Sequence, residues 1–196
     1  VLILRSMNTV LLQIEMLNNP LSAHGIARRV IDTLNKGNGC FQNMFAISSL
    51  DKSKIKIASI VKFALRYLVA LEPSEGRKNL YEYWDGDKQK LGERNEAEIK
   101  SYVKFCAKTV SLFFGVVKEQ FLNYWNDQDS RLLSVTSING FIIALTFLIN
   151  QYGVQNRDFY KTKLQKLVID FSEDGFLYKS SQYHKFAEEI LRQIEN

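Results

Sequence analysis

"IKSYVKFCAKTVSLFFGVVKEQFLNY", residues 99–124, decides the fold. Ile99, Val103, Cys106, Val110, Phe113, Phe114, Val117, Phe121 and Tyr124 recur every three or four positions, the period that collects side chains on one side of an α-helix. The spacing predicts one long helix over about 96–125 with a broad apolar face. A face that wide needs partner helices to cover it.

Those partners lie on both sides. After the polar break "NDQDSR" (126–131), residues 132–153 predict a short extended piece, a cap at Thr136 or Ser137, and a helix ending at Gly153. Its most apolar run, 138–149, has too few residues to span a bilayer and reads as a buried core helix. Helices follow at about 156–171 and 180–195, the last with Tyr183, Phe186, Ala187, Ile190 and Leu191 inward. Upstream, Val10, Leu11, Ile14 and Leu17 share one side of a helix that Asn18-Asn19-Pro20 ends. Ser22 can cap the next one, striped by Ile26, Val30, Ile31 and Leu34 and closed at Gly37 by a left-handed glycine. "MFAIS" and "IKIAS" flank a Lys-rich turn and predict a small β-hairpin. Residues 58–71 predict a helix with Ile60, Val61, Ala64, Leu65 and Leu68 inward.

The fold class expected is therefore mainly α: a single mostly helical domain over 1–196, of about six helices with a minor β-hairpin. Two prolines in the whole chain fit long unbroken helices, and 46% hydrophobic with 12% aromatic residues is ample for a core. Residues 72–95, charged and holding three of the ten glycines, are expected as an exposed excursion. There the Asp-Gly at 85–86 reads as a turn rather than a calcium loop, because Lys90 occupies the position where such a loop needs glycine. Tyr81 and Trp84 are expected to anchor the excursion to the body.

The search for catalytic chemistry is mostly negative. The sequence has no phosphate-binding glycine loop, no nucleophile elbow and no paired Cys or His at metal spacing. No cofactor or metal is expected. His24 reads as an ordinary early-turn residue, and the pairs Glu188-Glu189 and Glu173-Asp174 read as solvated. Cys40 and Cys106 are unpaired in spacing, which fits a reducing, cytoplasmic setting without a membrane partner.

Charge is more informative. Residues 1–71 carry nine Lys/Arg against three Asp/Glu, so the +5 of the chain is concentrated in its first third. Arg28 lies on the helix side away from Ile26, Val30 and Leu34, and Arg29 flanks that stripe. Lys52, Lys54 and Lys56 recur at period two, which puts them on one face of an extended segment. With Lys36, Lys62 and Arg66 these residues would form a positive surface able to neutralise phosphates. A charged helix face and a lysine-lined edge strand are equally standard solubility devices, and both readings stay open here.

The order "NPLSAHGIARRVIDTLNKGNGCFQNMFAI", "KIKIASIVKFALRYL" and later "LLSVTSINGFIIALTFLIN" resembles the C-terminal half of the DGQHR-domain (DndB-like) family, over about residues 10–70 and 105–152. The matching positions are mostly apolar, with Asn35 and Gly140 beside them. The signature that names the family is not in this chain, so no signature residue is carried onto it. The resemblance implies a bacterial protein associated with DNA modification such as phosphorothioation, or with defence, acting by DNA binding or regulation. It also implies that the chain, which starts on Val1, is the C-terminal portion of a longer protein. The expected phosphate contacts are Arg28, Arg29, Lys52, Lys54 and Lys56. The alternative is a helical interaction or scaffold domain whose partner is the absent N-terminal half or a second copy. Enzyme activity within this portion is not expected.

Overall fold

A computed structural model describes residues 18–46, 54–72 and 76–195. The chain is mainly helical, as the periodicity requires. Helix α1 (Ala23–Lys36) starts at Ser22, whose hydroxyl accepts the Gly25 N–H at 3.0 Å. Its other end corrects the expectation: Gly37 is extended (φ −76°, ψ 173°), and the left-handed residue of this turn is Asn43 (φ 58°). Three consecutive stretches, Ile57–Ile60, Val61–Leu65 and Arg66–Val69, form one rod, α2, whose middle stretch is a π-turn. Two short helices, α3 (Leu80–Tyr83) and α4 (Lys88–Gly92), precede α5 (Glu96–Gln120). Then come α6 (Leu122–Asn126), α7 (Val135–Tyr152), α8 (Arg157–Leu164) and α9 (Tyr183–Glu195). The helix expected before Asn18 lies outside the described residues.

α5 and α7 hold the core. α7 packs most extensively on α9, while α5 packs on α1 and α8, and α2 bridges α1 and α7. Phe141 of α7 meets Phe113 and Phe114 of α5, Phe171, and Phe186 of α9, with ring centroids 5.6–6.4 Å apart. The tightest approach is at Gly140, where a Cβ would lie 2.3 Å from the Phe186 ring. Gly25 likewise lets α1 approach the Asn19 and Pro20 carbonyls, 2.8 Å from where its Cβ would be. Asn35, nearly buried, takes the Phe45 N–H on its side chain at 2.9 Å and so fixes the chain beyond α1.

Several expectations change in detail. The hairpin is not formed: Phe45 and Ile55 make a single isolated bridge, and it is parallel, with Ala46 N–H on Ile55 C=O and Ile55 N–H on Met44 C=O. The long helix is interrupted at Phe121 (φ −120°, ψ 42°), which turns its ring onto Phe171. α7 is capped by Ser134 rather than Thr136 or Ser137, and it ends at Gly153 (φ 74°). The helix expected over 156–171 stops at Leu164. Beyond it Leu167 and Phe171 reach the core from irregular backbone, and the Phe171 C=O accepts the Arg131 N–H.

The segment 72–95 is exposed at its charges but is not a free excursion. Leu80, Trp84 and Leu91 are buried, and the Tyr81 and Trp84 rings both pack on Tyr102 of α5. Asp87 spends its carboxylate capping α4. α7 is longer than its most apolar run; by length and composition alone it could cross a membrane, and 61% of it is buried among the other helices.

Candidate functional site

The expected basic surface is only partly present. Arg28 and Arg29 sit one after the other on α1, and both are neutralised. Arg28 Nε donates to Asp32 at 3.0 Å, one turn along the same helix, and Arg29 Nη1 donates to Glu96 at 2.9 Å. A phosphate would have to displace a carboxylate from each. Lys54 is half-buried, and Lys56 is exposed just ahead of α2. Lys52 lies outside the described residues. Among those described, extended pairing is limited to Ile55, so the period-two alignment of these lysines has no strand beneath it.

A different basic site is open. The outer sides of α2, α7 and α9, with Gly76 and Arg77, enclose a groove of about 690 Å³. That volume is typical of sites that enclose small ligands. α2 contributes Lys62, Phe63, Arg66 and Tyr67. α7 contributes Ile143, Thr146, Phe147 and Asn150, a stripe at helical spacing on the side opposite its core contacts. α9 contributes Tyr183, His184 and Leu191. None of the described residues lining the groove is acidic. Among the described residues, none of the ion pairs involves Lys62, Arg66 or Arg77.

The π-turn builds the α2 wall. Asn139 of α7, fully buried, inserts its amide into the α2 backbone ladder. Its Oδ1 accepts the Ala64 N–H at 3.2 Å, and its Nδ2 donates to the Ser59 C=O at 3.3 Å and to its own Val135 C=O at 2.9 Å. Ser59 and Ala64 are five residues apart, the interval of a π-turn. A polar side chain inserted into the ladder is a recognised cause of such a turn, and π-turns recur at functional sites. α2 thereby keeps Val61, Ala64, Leu65, Leu68 and Val69 in the core while Phe63, Arg66 and Tyr67 face the groove.

Arg66 is the best-placed cation. Its guanidinium lies 4.5 Å from the Tyr67 ring centroid and donates to the Tyr67 hydroxyl. Its Nη1 is 3.2 Å from His24 Nε2, which assigns His24 a positioning contact rather than the ordinary place expected of it. Its Nε is buried and has no hydrogen-bond partner, the kind of orphan donor that an entering oxyanion can satisfy. Phe63, Tyr183 and His184 form an aromatic row, with centroids 5.3 Å and 4.7 Å apart.

Other chemistry is less well placed. Burial pushes the Cys40 thiol up to about 11 and the Cys106 thiol up to about 12, so both hold their protons at neutral pH and neither supplies a thiolate. Among the described residues, no three His, Cys, Asp or Glu side chains converge on a metal-sized site. Glu189 is bound to Arg192 and Gln193, and Glu173 to Arg131.

Lys62 and Arg66 belong to the positive surface read from the sequence; Tyr67, Phe147, Tyr183 and His184 do not. A signal for two of these was present. Phe63 and Tyr67 stand off the inward stripe of 58–71, next to Lys62 and Arg66, with no core role to explain them.

Compared with protein-family models, with curated proteins and with solved structures, the chain has no match in any of the three.

Proposed function

We propose that this chain is a DNA-binding, regulatory component of a bacterial DNA-modification or defence system, of the DGQHR-domain (DndB-like) kind and cytoplasmic, and that it contacts DNA through the groove between α2, α7 and α9. The setting rests on the resemblance in sequence. The binding rests on one observation: three cations, Lys62, Arg66 and Arg77, share a recess in which no described lining residue is acidic. Positive charge without a local counter-charge attracts phosphate and releases condensed ions on binding. Binding, rather than turnover, is the role these residues perform.

The test is a salt titration of labelled DNA followed by fluorescence anisotropy. The wild type should bind with log K falling against log salt at a slope of about −2 to −3, for three phosphates neutralised. Lys62→Glu/Arg66→Glu/Arg77→Glu should abolish that slope, and Arg28→Glu/Arg29→Glu should leave most of it. No binding by the wild type, or a slope indifferent to the groove triple, would remove the proposal. The second reading, a helical scaffold, has Val168 and Leu177 in its favour, each more than four-fifths exposed. Single apolar residues are ordinary on soluble surfaces, so the groove outweighs them.

A further inference from the structure

We infer that the groove receives an unstacked nucleotide of single-stranded DNA, its base against the aromatic wall and its phosphate on Arg66. This rests on the DNA-binding reading above and specifies the form of the ligand.

Shape is the first argument. Proteins that read duplex DNA present a protruding helix or ribbon to the major groove. Here the cations are recessed: Lys62 and Arg66 stand on the wall of a concavity of nucleotide rather than duplex dimensions. A base can reach them only if it has left its stack.

Composition of the walls is the second. Cations and rings alternate along one outer side of α2, Lys62 and Phe63 followed one turn later by Arg66 and Tyr67. Across the groove stand Phe147 of α7 and Tyr183 of α9. Rings interleaved with cations are what single-strand sites use, because every base has a π-face and every linkage a phosphate. Tyr67 is half exposed although it is large and aromatic, so its ring is accessible as a stacking platform.

The unsatisfied donor is the third. Arg66 is held by His24 on one side and by Tyr67 on the other, which fixes the guanidinium before any ligand arrives. Its buried Nε–H still lacks an acceptor. A phosphate oxygen supplies one, and charge-assisted bonds of this kind are the stronger class.

The experiment uses the whole chain with three probes: a labelled oligo-dT strand, its duplex with oligo-dA, and free dTMP as competitor. The single strand should bind at least about tenfold tighter than the duplex. Tyr67→Ala should weaken single-strand binding by roughly tenfold, the loss of one stacked base. Tyr67→Phe, which keeps the ring, should stay within about twofold. Equal affinity for strand and duplex, with Tyr67→Ala neutral, overturns this inference and leaves the DNA-binding proposal standing on its groove cations. Binding of dTMP as tightly as the oligonucleotide overturns it in favour of a free-nucleotide site. Failure of every DNA to bind removes both.

Discussion

The outer face of α1 and the groove wall of α2 are equally basic in sequence and opposite in electrostatics. Arg28 and Arg29 each have a carboxylate within 3.0 Å, whereas Lys62 and Arg66 have none among the described residues. A count of lysines and arginines cannot distinguish the two. What separates them is where the acids fall in space: Asp32 one turn from Arg28, and Glu96 brought to Arg29 by the packing of α1 on α5. The α1 pairs are at least a third exposed, so they contribute little stability, but they flatten the local field.

Four experiments press on that contrast. The largest effect is expected from Asn139→Ala, which leaves the Ala64 N–H and Ser59 C=O of the α2 wall without their amide partner. Unpartnered buried groups cost about 1–3 kcal/mol each, so denaturant unfolding should show a loss of about 3 kcal/mol. A loss below about 1 kcal/mol would mean that the π-turn stands without Asn139. Next, Thr146→Glu installs a carboxylate in the groove and gives it the α1 character. DNA affinity should drop about thirtyfold, near 2 kcal/mol, with unfolding little changed. If affinity holds, the groove is not where DNA binds.

Gly140→Ala tests the core beneath the groove. Its Cβ would collide with Phe186, a ring with no room to retreat, and overpacking of this kind costs about 2 kcal/mol at most. Thermal unfolding should register it while the Arg28 and Arg29 pairs stay intact. The smallest effect runs the other way: Asp32→Asn with Glu96→Gln frees both α1 arginines. Stability should change by no more than about 0.5 kcal/mol. DNA affinity at low salt should rise about threefold, and the gain should vanish as salt is added.

How far these features were legible follows from the distance at which each is determined. The stripes of α1, α2, α5 and α9 could be read directly, because burial and helical period are local. So could the Ser22 cap and the stop at Gly153. The Arg28–Asp32 pair was also readable, being an i,i+4 spacing on a predicted helix. Glu96 was not, because 67 residues separate it from Arg29. Nor was the π-turn, since nothing in 61–65 announces it; its cause is a side chain 75 residues downstream of Ala64. The hairpin failed for a related reason: short apolar pieces beside a turn fit a hairpin, but the partner geometry at Phe45 and Ile55 is parallel. The two positions of the family resemblance that are not apolar, Asn35 and Gly140, both serve packing, one latching Phe45 and the other admitting Phe186. They carry the fold rather than the chemistry of the groove.

The π-turn also constrains insertions and deletions. It is one residue more than an α-helix would use over the same span, and each residue of helix turns the chain by about 100°. Removing any one residue of 61–65 would restore a regular ladder and swing one half of α2 around its axis. Either Leu68 and Val69 would leave the core, or Arg66 and Tyr67 would leave the groove. The length of this segment is therefore as much a determinant as its residues. A deletion series across it should be far less tolerated than the same series placed in the loop 126–131.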